Sequence, residues 1–235
     1  MAAQQQRLDA LSNDVANVNT TGYKRVRMSF RDLVYASPGL GAGEGVTVGA
    51  GAAVEIAGRS FGQGSLRITQ RSLDLAVQGP GFLKVRQADG TTALTRDGSL
   101  TLNPDGELMT AGGLLLEPRV ALPKGTGAND VAIGEDGQIT TKDGRRLGKV
   151  EVVTVRSPGG LAALADNLFV ATPASGPLVA ASKETVLTQG ALEGSNVDLA
   201  DAMVDMLDAQ RSFSMASRAI QTQDQILAIA NEVKK

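Results

Sequence analysis

The sequence contains no cysteine, no histidine and no tryptophan. Without cysteine there is no disulfide, no thiolate nucleophile and no sulfur-ligated metal. Without histidine the usual general base is missing, and so is the commonest transition-metal ligand. Most hydrolytic triads and zinc sites are thereby excluded. Carboxylate, lysine or tyrosine chemistry stays open, but the balance moves away from an enzyme.

Aromatic residues are only 3% of a chain that is 42% hydrophobic. A core of this kind must use Ala, Val, Leu and Ile, so it is expected to be thin or divided among small clusters. The formal net charge of −2 offers no footprint for nucleic acid or an anionic membrane. No apolar run approaches the ~20 residues that span a bilayer, so membrane insertion is not expected. The opening MAAQQQRLDALSNDV is amphipathic and lacks the charged-then-apolar order of a cleaved signal. That points to a cytosolic protein unless another route exports it.

What the chain does have is helical pattern at both ends. Leu8, Leu11, Val15 and Val18 fall three, four and three apart and form one apolar stripe. Gly22 is placed to close that helix with a positive φ. At the other end Leu199, Met206, Phe213, Ile220 and Leu227 recur every seven residues. Ala202, Ala209, Ala216, Gln223 and Ala230 follow each of them by three. No Gly or Pro occurs from Ser195 onward, and so long a heptad predicts a coiled-coil helix of about 55 Å over 197–233. Ser195 and Asn196 suit its N-cap, and Asp198 and Asp201 suit the positive end of its dipole.

Between the ends lie 28 glycines in 235 residues, well above the usual share of about 7%. Asp89-Gly90, Asp97-Gly98, Asp105-Gly106, Gly112-Gly113, Asp136-Gly137 and Asp143-Gly144 punctuate short alternating runs such as Ser99 to Asn103. These are hairpin signals, and they predict a meander of antiparallel strands. The fold class expected is α+β, with long coiled-coil helices from both chain ends flanking a central antiparallel β-rich domain. Residues 1–35 form a helix and docking segment paired with a coiled-coil helix in 189–235. Residues 36–60 are a Gly-rich connector and 61–188 the β-rich part.

Candidate chemistry fails on spacing. Gly39, Gly41 and Gly43 lead into Glu44 and open no helix, so no dinucleotide loop is present; Gly144 to Gly148-Lys149 has the wrong spacing for a Walker loop and Val150 in place of Ser or Thr, so no cofactor is expected. The aspartates sit before turn glycines and are not spaced as calcium ligands, so no metal and no catalytic residue is assigned. Lys24, Arg25, Arg27 and Arg31 form a basic cluster that reads most simply as a solvated face.

Three blocks together resemble the bacterial flagellar rod and hook family. The first runs Ala16, Asn17, Val18, Asn19, Thr20, Thr21, Gly22, Tyr23, Lys24. The second, Leu73 to Gly113, includes Gly81-Phe82-Leu83 and Thr95-Arg96-Asp97-Gly98. The third, Leu192 to Leu227, includes Ser195-Asn196-Val197-Asp198 and Ala209-Gln210-Arg211. The continuation Glu117 to Pro123 is most similar to the family's distal-rod members, with proximal rod or hook subunits as the alternative. From another class, a β-rich adhesin with a coiled-coil stalk fits less well, because here the helices bracket the β-region.

The resemblance implies a non-enzymatic subunit exported unfolded by the flagellar apparatus. It implies polymerisation with copies of itself through Leu8, Leu11, Val15 and Val18 and through the C-terminal seam. Proximal rod and hook proteins would be neighbours, with ring proteins around the rod. The place implied is the basal body, outside the cytoplasmic membrane.

Overall fold

The computed structural model describes residues 2–33, 52–123, 126–182 and 184–233. It divides into two units. One holds residues 1–16, 26–57 and 198–235, and the other holds 17–25 and 58–197.

The first unit contains two helices, α1 (Ala2–Ala16) and α2 (Leu199–Val233), and a strand Val26–Asp32 paired with Ala52–Arg59. The N-terminal helix is 15 residues long against 35 for α2, so a long helix comes from one chain end only. Leu11 is buried and Leu8 and Val15 are half-buried, but Val18 lies beyond the helix, in the turn after Ala16. Asp14 accepts the Val26 amide at 3.2 Å, tying α1 to the first strand. Where α1 packs on α2, Arg7 reaches Asp205 at 3.5 Å. The fully buried positions of α2 are its small ones, Ala202 and Ala209. Alanine there lets helix axes approach closely.

The connector expected at 36–60 is only partly in view, since 34–51 lie outside the described residues. Residues Ala52–Arg59 are strand instead, in keeping with the alternation Val54-Glu55-Ile56. Likewise 189–235 is not helix throughout. Strand Ala191–Glu193 precedes Gly194, and α2 begins at Leu199.

The second unit is built of antiparallel strands, as the hairpin signals predict. Its largest sheet runs in the order Ala162–Ala163, Leu168–Val170, Thr92–Thr95, Phe82–Arg86, Leu115–Leu116, Leu108–Thr110, Leu100–Leu102. Val152–Val155 joins it through Phe82–Arg86 and carries Leu178–Ala180. Val131–Ile133, Gln138–Thr141 and Arg146–Lys149 form a three-stranded sheet. Two ribbons pair early strands with late ones: Leu75–Gln78 with Val186–Gln189, and Leu66–Ile68 with Ala191–Glu193.

The turn glycines at 90, 106, 113, 137 and 144 have positive φ. Gly98 does not, and it has another reason to be glycine. A Cβ there would lie 1.6 Å from the Leu75 carbonyl oxygen, so it marks a close backbone crossing. The interior is divided, as low aromatic content suggests. An aliphatic cluster around Leu75, Leu100, Leu116 and Ile139 is separate from one around Phe82, Leu94 and Phe169. Three of the five phenylalanines, Phe61, Phe82 and Phe169, meet there with ring centroids 5.1 to 6.0 Å apart.

Candidate functional site

Residues 17–25 do not extend the first helix. They fold into the β unit as its first segment. Thr20 turns back on Asn17 through a 3.1 Å amide bond, and the Thr21 carbonyl accepts from the Asn167 side chain at 3.2 Å. Gly22 does have a positive φ of +67°, but six residues past the helix end, where it closes no helix. A Cβ on Gly22 would sit 2.7 Å from the Arg96 carbonyl carbon, so the backbone must be bare to pass. Its N–H donates to the Glu193 carbonyl at 2.8 Å. Tyr23 is buried with the Arg59 guanidinium 5.1 Å from its ring centre. Arg59 also donates to the Lys24 carbonyl at 2.8 Å.

Lys24 is fully buried, 0% exposed, and so is Glu193. This corrects the reading of Lys24 as part of a solvated basic face. Its Nζ donates to Glu193 Oε1 at 2.6 Å and to the Gly62 carbonyl at 2.7 Å. Glu193 Oε1 also accepts the Gly64 amide at 2.8 Å, and Oε2 accepts from Arg96 Nη1 at 2.9 Å. The other Arg96 terminal nitrogen donates to the Gly79 carbonyl at 2.8 Å, and its guanidinium lies 5.3 Å from the Phe82 ring centre. Burial holds the Lys24 amine below its ordinary pKa; Glu193 opposes that shift, while the Arg96 charge adds to it. Asn196 completes the clasp, accepting the Arg25 amide at 2.8 Å and donating to the Ser60 carbonyl at 2.7 Å.

The motif Asn17, Thr21, Gly22, Tyr23, Lys24 is therefore a structural clamp. It joins the entry and exit segments of the β unit, while Ala16 ends α1 before it. Arg96, Glu193 and Asn196 were not singled out as site residues by sequence alone. Each stood inside a recognisable block, but nothing in the spacing pairs positions 97 and 169 residues apart.

The helix surface is separate from the clamp. The α2 cap is Asp198, whose Oδ1 accepts the Ala200 and Asp201 amides at 2.8 and 3.2 Å. Ser195 instead accepts the Val197 amide, at 3.2 Å. Along the seam, Ala202 and Ala209 are buried, and Met206, Phe213 and Ala216 are half-buried. Leu199, Ile220, Leu227 and Ala230 are exposed. Met215 and Ile229 on its other faces are exposed at 64% and 61%.

A cleft of about 730 Å3 is bordered by Asp89, Asp97 and Asp166. Asp97 is occupied by the Ser99 amide and hydroxyl at 3.0 and 2.7 Å. Asp89 holds the Thr91 hydroxyl and amide, which lower its pKa. Both behave as turn residues. Among the described residues no group of His, Cys, Asp or Glu is arranged to hold a metal, and no helix is long and apolar enough to cross a membrane.

Three family models match the chain in order. Residues 1–24 match the flagella basal body rod protein model, 76–141 the D1 domain of the flagellar hook protein FlgE/F/G, and 188–233 the C-terminal part of the flagellar basal body rod FlgEFG proteins. The flagellar basal-body rod protein FlgG of Borreliella burgdorferi is 38% identical over 253 residues, covering 100% of this chain and 96% of that protein. The chain belongs to the flagellar basal-body rod family. FlgG of Agrobacterium fabrum is 36% identical over 251 residues, covering 99% of this rod protein and 95% of its relative. The flagellar hook-basal body complex protein FlhP of Bacillus subtilis is 30% identical over 262 residues, covering 98% and 94%. The chain is thus a structural, non-enzymatic rod subunit of the flagellar basal body, similar over nearly its whole length to FlgG members. The clamp motif lies within the first matched region and Glu193 within the last.

Proposed function

We propose that this subunit builds the distal rod by polymerising with copies of itself through α1 and α2, forming a tubular drive shaft. The observation that carries this is the bare distal half of α2. Ile220, Ile226, Leu227 and Ile229 are all 49% exposed or more. Ile220 and Leu227 fall one heptad apart on the seam and leave that edge open as a contact surface, and α1 has fifteen residues against thirty-five in α2. The seam Leu199, Ala202, Met206, Ala209, Phe213, Ala216, Ile220, Leu227, Ala230 continues past the buried part as a coiled-coil face. A head-to-tail contact of this type does not close and grows as a filament.

On this reading ring proteins surround the polymer. Proximal rod and hook proteins abut the two ends of the polymer, and the chain reaches its place outside the cytoplasmic membrane through the flagellar export apparatus. The likeness to FlhP keeps a more general hook–basal body role as the second reading. The test is sedimentation and electron microscopy of the full chain at high concentration beside Ile220→Asp/Leu227→Asp. Tubes or pelletable filaments from the unaltered chain, absent from the variant, support the reading. A unaltered chain that stays monomeric refutes it.

A further inference from the structure

The clamp carries unequal charge. Lys24 and Arg96 are cations, Glu193 is the one carboxylate that both touch, and among the described residues neither cation has another acidic partner. Carbonyl oxygens of Gly62, Val77 and Gly79 and the Gln63 side-chain oxygen accept further hydrogens from the two cations. Arg96 Nε is buried without a partner. Removing one member of a buried charged cluster leaves the others desolvated and unbalanced, which is costly.

Glu193 also stands at the end of the unit. Its strand, Ala191–Glu193, is the one partner of Leu66–Ile68, and Val186–Gln189 is the one partner of Leu75–Gln78 among the described strands. The first strands of the unit therefore wait for the last. Long loops must close before those pairs form.

We propose that Glu193 is the closing latch of the β unit: its carboxylate makes the joint burial of Lys24 and Arg96 possible, and the unit does not complete before it docks.

Pulse-labelled hydrogen exchange during refolding of the full chain tests this. The Gly22 and Gly64 amides, both bonded to Glu193, are expected to gain protection in the same phase as strands Leu66–Ile68 and Leu75–Gln78. Native protection of those two strands in an earlier phase overturns the proposal. Glu193→Gln is expected to lower the folding equilibrium constant on the order of a hundredfold or more. Adding Lys24→Met to it should restore at least a tenth of the loss on a logarithmic scale, because one unbalanced cation is gone. Wild-type folding by Glu193→Gln, or no recovery in the double variant, also overturns it. If Glu193→Gln alone does not fold, the double variant and the wild-type exchange order decide.

Discussion

Lys24 and Glu193 stand 169 residues apart in the chain and 2.6 Å apart in the fold. Neither side chain touches solvent. That contact joins the segment that opens the β unit to the one that closes it.

The Lys24 amine gives a pH signature. Its folded pKa lies below the ordinary 10.5, so between the two values the unfolded chain binds more protons. Stability contributed by this group therefore rises with pH through that window and is flat below it, where both states are protonated. Urea unfolding from pH 8 to 10.5 should show a steeper upward slope for the wild type than for Lys24→Met. Equal slopes would remove the buried amine from the account.

Gly22→Ala should destabilise the unit by roughly 1–3 kcal/mol or more, because a positive φ and a backbone clash act together. Asn tolerates positive φ, yet Gly22→Asn should fare no better, since the Cβ meets Arg96 and Asp97 backbone. Denaturant midpoints of the two variants make the comparison. Recovery by Asn would mean that only the dihedral matters.

At α2, Asp198→Ala removes the acceptor of two helix amides and should cost about 0.5–2 kcal/mol. Asp198→Ser should retain most of it. Far-UV circular dichroism through a thermal ramp reads the loss, and substitutions at Ser195 are expected to leave the helix start in place.

The two ends of the α2 seam should respond in opposite ways. Ala209→Leu overfills a buried contact and is expected to destabilise the isolated subunit by about 1–3 kcal/mol. Leu227→Asp, at an exposed position, should change subunit stability by less than about 0.5 kcal/mol while abolishing assembly. Chemical denaturation paired with sedimentation separates the two effects.

Periodicity carried much of this structure. The seven-residue repeat from Leu199 located α2 to within two residues, and the Asp-Gly pairs other than Asp97-Gly98 marked turns whose glycines have positive φ, a local demand. The stripe from Leu8 to Val18 overran the helix, since an apolar residue in a turn looks the same in sequence as one on a helix face. Gly22 had the dihedral expected of it but a different purpose, set by Arg96 across the fold. The connector obscured strand Ala52–Arg59, whose glycine-rich surroundings hide a short alternation. Lys24 was misjudged for the most physical reason. A lysine in a basic run is normally wet, and only a carboxylate arriving from far along the chain could make it dry.

The clamp also has a mechanical meaning. Because the Gly22 amide bonds the Glu193 carbonyl and Asn196 holds the Arg25 amide, a pull between residues 17 and 197 crosses the unit at its neck. The tension is taken up by a few short bonds there, and the sheets beyond them hang off the load path. Their outer turns, such as the one at Gly144, where added atoms would meet nothing within 4 Å, are free to lengthen or change without slackening the strut.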